Sequence, residues 1–168
     1  MKDPNNPCIF CSIRKNELIF ENSLAYASRD SYPVTKFHSL VVPKRCIKNY
    51  FELNDKEILA CDDLVKKLQQ KISSEDSTVK GFNVGTNSGK VAGQSIFHCH
   101  IHVIPRREGD VENPQGGVRS VIPSKQHYIR KKITLLIIQN PNNGSISQLN
   151  YFFKYTTNIT IYKFYVFN

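Results

Sequence analysis

Gln94-Ser-Ile-Phe-His98-Cys-His100-Ile-His102-Val-Ile-Pro-Arg106 is the stretch that decides the fold. From Phe97 to Ile104 it is rich in aromatic and β-branched residues, and its histidines recur at every second position, which is the period of a strand. On a strand, His98, His100 and His102 share one face while Cys99, Ile101 and Val103 turn toward the core. Alternate α-carbons of a strand lie about 6.5 Å apart, so three imidazoles can line one small site. A lone histidine is most often an ordinary packed or surface residue. Three in a row on one face are not, because imidazoles side by side gain little from burial and leave polar atoms to satisfy. Two chemistries suit such a row: metal ligation by neutral imidazole, or covalent catalysis with one ring as nucleophile and its neighbours as donors.

The residues upstream favour phosphate. Gly81-Phe-Asn83-Val-Gly85-Thr-Asn-Ser-Gly89-Lys-Val-Ala-Gly93-Gln94 leads directly into the histidine segment, and glycines let backbone N–H groups approach an anion closely. Working outward, Leu18 to Phe20, Leu24 to Ser28, Ser39 to Val42 and Gly81 to Val84 are strand-like runs bounded by Asn, Asp, Gly or Pro. Asn54 to Ile72 is the long helix. Its apolar positions Ile58, Cys61, Val65, Leu68 and Ile72 form one stripe, and Asn54 with Glu57 has the pattern of an N-cap with a reciprocal carboxylate. A shorter helix is expected from about Cys8 to Lys15. Strands that follow one another without intervening helices pair antiparallel, so the expected class is α+β: about five strands, one long helix and one short helix.

The chain has 168 residues, 40% of them hydrophobic, and a net charge of +9. That size can bury a core without a disulfide framework. The densest apolar run, Ile133 to Ile138, is far short of the roughly 20 residues of a membrane span. Together with the polar start, Met1 to Pro7, this predicts a cytoplasmic protein with no membrane partner. The positive charge is diffuse. No acidic residue follows Glu112, and Arg130, Lys131, Lys132, Lys154 and Lys163 lie in the last 40 positions without forming a basic helix face, so nucleic acid is not an expected partner. Residues 1–128 read as the domain. Residues 129–168 read as an extension of different composition, holding 8 of the 18 aromatics. There, Ile133 to Ile138 and Ser145 to Lys154 flank Asn140-Pro-Asn-Asn-Gly144 as a hairpin, and Ile159 to Phe167 adds a strand.

Five cysteines, an odd number that includes a Cys-x-x-Cys pair, point in a reducing compartment to metal or catalysis before disulfides. Cys8 and Cys11 have the spacing of half a zinc site, and a closed tetrahedral site needs two further ligands. Cys61, on the helix stripe, and Cys99, on the core side of its strand, are expected to be packing residues.

With these pieces assembled, the sequence resembles the histidine triad family of nucleotide hydrolases and transferases. His98 to Ile104 has that family's His-x-His-x-His pattern followed by two apolar residues. The resemblance runs from about Cys8 to Tyr128. It includes Cys8-Ile-Phe-Cys11, Lys36-Phe-His38-Ser-Leu-Val-Val-Pro-Lys44, Ala92-Gly93-Gln94-Ser95 and Gly109-Asp110-Val-Glu-Asn-Pro-Gln-Gly116-Gly117-Val-Arg119. It implies the histidine triad fold, a homodimer and a covalent mechanism at the α-phosphate of a nucleotide. His100 would attack phosphorus, and water would hydrolyse the resulting nucleotidyl-histidine. An unperturbed imidazole is mostly neutral near pH 7 and needs little activation for that role. By the same resemblance, His102, Gln94 and the Gly93–Ser95 turn face the phosphate oxygens, and Ser95 lies near the leaving group. Asp30 binds ribose hydroxyls, Asn83 contacts nucleotide or phosphate, and His38 supports the active site.

The resemblance also implies one structural zinc per chain, with Cys46 and His98 completing the set begun by Cys8 and Cys11, and no organic cofactor. Cys46 stands where the family usually has histidine, yet it is itself a zinc-binding side chain and gives a Cys₃His set. Phe37 stands where the family usually has glycine, ahead of His38. Ile104-Pro-Arg106-Arg107-Glu-Gly109-Asp110 resembles the branch that cleaves dinucleoside polyphosphates, and the chain has no Trp, unlike the phosphoramidate-hydrolysing branch. The expected activity is release of AMP from diadenosine polyphosphates or related nucleotidyl compounds. The alternatives are a nucleoside phosphoramidate hydrolase, a zinc hydrolase with all three histidines on one catalytic metal, and a nucleotide-binding sensor without turnover.

Overall fold

A computed structural model of the chain describes residues 8–13, 15–128, 134–137, 151–155 and 158–160. Strands β1 (Leu18–Glu21), β2 (Ala25–Arg29), β3 (Ser39–Pro43), β4 (Val79–Gly85) and β5 (Ile101–Arg107) form an antiparallel sheet in the order β1-β2-β3-β5-β4. The one α-helix among the described residues, α1 (Asp55–Glu75), connects β3 to the edge strand β4. Asn54 caps it as expected: its side chain accepts from the Glu57 N–H at 3.1 Å while the Glu57 carboxylate accepts from the Asn54 N–H at 3.0 Å. This reciprocal pair satisfies two of the orphan donors at the helix start. Arg45 grips the same carboxylate through two 2.7 Å bonds and ties the cap to the segment after β3.

The sheet has two unlike faces. On one, α1 buries Cys61, Leu64, Leu68 and Ile72 against Ala25, Ala27, Val41, Ile101 and Val103. Leu64 is fully buried where the expected stripe had Val65, which packs only at the margin. Both positions are apolar and adjacent on the helix, so the sequence pattern alone does not choose between them. The other face carries Tyr26, Leu40 and Val42, covered by Phe10, Ile13 and Leu18.

Two expectations need correction. The segment expected as a short helix forms two 3-10 turns, Ile9–Ser12 and Lys15–Glu17, with Arg14 outside the described residues. The tighter turn, closed by Cys11 N–H to Cys8 carbonyl at 3.1 Å, eclipses residues three apart and sets both thiols on one side. The histidine strand begins at Ile101, so His98 and His100 lie in the lead-in. There the Cys99 N–H donates to Ile47, beyond the end of β3, instead of entering the ladder.

Residues Met1–Gln126 and His127–Asn168 are separate compact units. In the second, β6 (Thr134–Ile137), β7 (Tyr151–Tyr155) and β8 (Asn158–Thr160) form a three-stranded antiparallel sheet. The expected turn at 140–144 and the strand positions beyond Thr160 lie outside the described residues.

Candidate active site and metal centre

The three triad imidazoles serve three different partners. The His98 ring is fully buried. Its Nε2 lies 2.8 Å from the Pro43 carbonyl, so that nitrogen carries the proton. Nδ1 is then a lone pair, and it faces Cys8 Sγ at 3.3 Å and Cys11 Sγ at 3.5 Å. With Cys46, the donor atoms of these four residues all lie within 4.8 Å of one another. A tetrahedral zinc with about 2.3 Å bonds to sulfur needs donors about 3.8 Å apart, so the cluster fits that ion after small shifts of its donor atoms. The second-sphere bond from Nε2 to a carbonyl is the support that a metal-binding histidine ordinarily has. Burial and the crowding of Cys46 and Cys8 push the Cys11 thiol up to about 12, a penalty that a central dication would reverse. The residues expected as metal ligands are therefore brought together. When bound, zinc would supply a structural cross-link between the first turn, the segment after β3 and the triad.

His100 is nearly buried, and its Nδ1 lies 2.8 Å from the His98 carbonyl. A carbonyl only accepts, so Nδ1 carries the proton of the neutral ring and the lone pair is on Nε2. Thr86 fixes the backbone here by donating its hydroxyl to the His100 carbonyl at 2.7 Å.

His102 is governed by a relay. The Val34 N–H donates to His38 Nδ1 at 3.3 Å, which leaves His38 Nε2 protonated to donate to His102 Nδ1 at 3.0 Å. His102 Nε2 then bears the remaining proton and is the donor. Burial, reinforced by His100 and His38, holds His102 at about 4, so the ring is neutral at physiological pH. Burial also lowers His38, against the opposing pull of Asp30, whose Oδ2 is 3.5 Å from His38 Nδ1. Asp30 thus lies beside the relay, with its Oδ1 accepting from the Tyr32 N–H.

These partners correct one alternative. Both nitrogens of His98 are directed away from His100 and His102, so the three imidazoles do not converge on a single catalytic metal. Among the described residues, the groups with metal-holding proximity are Cys8-Cys11-Cys46-His98 and Asp30-His38-His102, and in the second a hydrogen bond already joins the two rings.

The glycine loop is braced from within. Gln94, only 4% exposed, accepts from the Gly89 N–H at 2.8 Å and donates to the carbonyls of Lys48 and Ile96. Both N–H donors of its amide are engaged by carbonyls, so the side chain expected to face phosphate instead holds the loop's shape. Gly93 adopts φ 85°, a left-handed conformation that favours glycine, and exposed Ser95 ends the loop. Asn83 shares its sheet face with His102. Arg106 donates to its oxygen at 2.6 Å while gripping Asp110 through two 2.7 Å bonds, which leaves the Asn83 NH₂ beside Gly117. A cavity of about 570 Å³ adjoins Asn83, Arg106, Asp110 and Gly117.

Phe37 has φ 70°, the conformation for which glycine is usual, and its ring is flanked by Arg29 and Lys36, each 4.7 Å from the centroid. The backbone geometry is kept and the cations help to hold the larger residue. The sequence reading missed Phe10, Thr86, the Val34 N–H and the Arg106–Asp110 pair. Phe10 had a visible signal in its place between the two cysteines, and Arg106 and Asp110 in the motif that carries them.

A HIT domain is matched over residues 13–109. The chain belongs to the HIT family. It is 36% identical over 103 residues to the adenosine 5'-monophosphoramidase hnt1 of Schizosaccharomyces pombe, covering 59% of this chain and 74% of that protein. It is 35% identical over 112 residues to the adenylylsulfatase HINT3 of Arabidopsis thaliana, covering 62% of this chain and 55% of that one. Among solved structures, a zinc-bound histidine triad protein of Mycobacterium smegmatis superimposes with a TM-score of 0.58 at 28% identity, covering 64% of this chain and 80% of that chain. No helix among the described residues is long and apolar enough to cross a membrane.

Proposed function

We propose that this HIT protein is a hydrolase that cleaves at the α-phosphate of diadenosine polyphosphates or related nucleotidyl compounds and releases AMP. The observation that carries the reading is the tautomer of His100: its Nδ1 proton is held by the His98 carbonyl, and Nε2 is left as a lone pair beside the His102 donor. In the proposed reaction, His100 Nε2 attacks the α-phosphorus, and the bond to the leaving group breaks with its electron pair passing to that group. The His102 Nε2–H and backbone N–H groups near Gly93 and Ser95 face the developing charge on the phosphoryl oxygens. Ser95 is assigned to the leaving group, Asp30 to the ribose, and Asn83 to the nucleotide. Water then attacks the nucleotidyl-histidine, frees AMP and restores the imidazole. His38 acts through His102, and Gln94 acts through the loop.

A second reading, hydrolysis of adenosine phosphoramidates, is favoured by the name of the Schizosaccharomyces pombe relative. Both readings share the His100 adduct and differ only in the leaving group. We read the Cys₃His cluster as a structural zinc site with one ion per chain, and the protein as a cytoplasmic homodimer whose only other small-molecule partner is the AMP-containing substrate.

The test is rapid quenching of enzyme with diadenosine tetraphosphate, followed by intact mass. An AMP-sized addition is expected in the wild type and none in His100→Ala, with turnover down by several orders of magnitude. Full activity in that variant would end the reading. Tight AMP binding with no adduct would make the protein a sensor. Running adenosine phosphoramidate in parallel ranks the two substrate classes, and metal analysis of the purified protein decides the zinc assignment.

A further inference from the structure

We propose that Phe10 is a positioning residue for the nucleophile, and that through it the Cys₃His centre sets the orientation of the His100 ring. The proposal rests on His100 being the nucleophile, as read above. Phe10 is carried between Cys8 and Cys11 in the Ile9–Ser12 turn. Its ring meets His98 edge-on, with centroids 5.9 Å apart, and meets His100 at 5.1 Å and a 51° tilt. The Phe10 carbonyl accepts from the Tyr26 hydroxyl of β2 at 2.6 Å, and Tyr26 is itself buried.

His100 is therefore bracketed. Its Nδ1–H is tethered to the His98 carbonyl, Phe10 lies against one side, and His102 stands nearly perpendicular to it at 5.1 Å. A single hydrogen bond at Nδ1 leaves the ring free to swing about its χ angles, and the flanking rings restrict that swing. Two of these three restraints, the His98 carbonyl and the Phe10 ring, belong to residues of the metal-binding cluster or lie between its cysteines. An ion bound there draws Cys8, Cys11, Cys46 and His98 onto one point and so fixes both restraints together. Without it, the two cysteines meet His98 through thiol contacts of 3.3 and 3.5 Å, and sulfur is a weak hydrogen-bonding group, so the Phe10 ring edge and the Tyr26 tether carry more of the positioning. Nucleophilic attack is sensitive to small displacements of the reacting atom, and a shift of about 1 Å can slow a reaction about a hundred-fold.

The experiment uses the full zinc-loaded chain and three variants: Phe10→Ala, Phe10→Tyr and Tyr26→Phe. Zinc content and thermal midpoint are measured first, then the imidazole NMR resonances of His100 in substrate-free protein, and then the single-turnover rate of adduct formation at saturating substrate alongside KM. In Phe10→Ala the His100 resonances are expected to move and the saturating rate to fall about ten- to a hundred-fold, with zinc retained and KM little changed. Phe10→Tyr, which keeps the ring, restores both readouts. Tyr26→Phe, which frees only the Phe10 carbonyl, moves the resonances in the same direction by less. Chelating zinc from the wild type reproduces the Phe10→Ala resonances, and chelating Phe10→Ala adds little.

Unmoved His100 resonances in both Phe10→Ala and Tyr26→Phe overturn the proposal, as does an effect on KM alone, which would make Phe10 a substrate contact. If Phe10→Ala fails to fold, Tyr26→Phe and wild-type chelation decide by the same resonances. If the wild type forms no adduct, the functional reading fails while the resonances still decide this one.

Discussion

Acidification is expected to destabilise the native protein through His102. Burial holds this ring at about 4, with His100 and His38 adding to the effect and Asp30 opposing it, against an ordinary value of 6.5. The folded value lies below the unfolded one, so on acidification the unfolded chain takes up the proton first. The contribution of the neutral ring is intact above about pH 6.5 and is lost progressively between there and about pH 4. Proton linkage across that window predicts a loss of about 2 kcal/mol between pH 7 and pH 4.5. The side chain is 24% exposed, so solvent screening trims this figure without removing it. The assay is urea denaturation across that pH range for the wild type and for His102→Gln, whose amide oxygen can still accept the His38 Nε2–H. Groups remote from His102 contribute equally to both proteins and cancel in the difference. The wild type should lose about 2 kcal/mol more than the variant. Parallel pH profiles, or an NMR titration of His102 near 6.5, would refute the buried relay from Val34 through His38.

Two further substitutions test the frame around the site. Gln94→Glu keeps the acceptor for the Gly89 N–H but removes both donors to Lys48 and Ile96 and sets a carboxylate against their carbonyls; the expected cost is about 1–3 kcal/mol by chemical denaturation, together with weaker nucleotide binding by calorimetry. At Phe37, Ala keeps the Cβ in left-handed backbone and loses the ring, whereas Gly loses the ring and relieves the backbone, so Phe37→Gly should exceed Phe37→Ala in stability by about 1 kcal/mol, measured by urea midpoints.

The features that were legible in the sequence are those set by local spacing. Asn54 and Glu57 are three residues apart, and the capping box follows from helix geometry whatever packs on it. Within the strand the alternation holds, with Ile101 and Val103 buried and His102 and Ile104 half-buried, whereas His98, Cys99 and His100 ahead of it are all buried. Cys46 joined Cys8 and Cys11 because few side chains bind zinc and its position matched the family pattern. The features that were not legible depend on contacts between distant segments. Gln94 looks like a phosphate donor by position, and only the Lys48 carbonyl, 46 residues away, shows where its amide is engaged. The choice of Leu64 over Val65 depends on how α1 is rotated over the sheet, which the small residues Ala25 and Ala27 opposite help to set.

The two faces of the sheet explain why the Cys8-Cys11-Cys46-His98 cluster and His100 are neighbours. One face is sealed by α1, and on the other the buried Tyr26, Leu40 and Val42 need a cover that no helix among the described residues provides. That cover is Phe10 and Ile13, on and just after the Cys8–Cys11 turn, with Leu18 of β1 beside them. A segment of this length, built from two 3-10 turns, has too few internal hydrogen bonds to hold itself in place. A metal held by Cys8, Cys11, Cys46 and His98 would add to the restraint that the Tyr26 hydroxyl already gives the Phe10 carbonyl, and His98 sits two residues before His100, the proposed nucleophile. A helix over this face would stabilise it as well, but it would also close off His100 and His102. A short turn covers the apolar half of the face without laying a helix across His100 and His102.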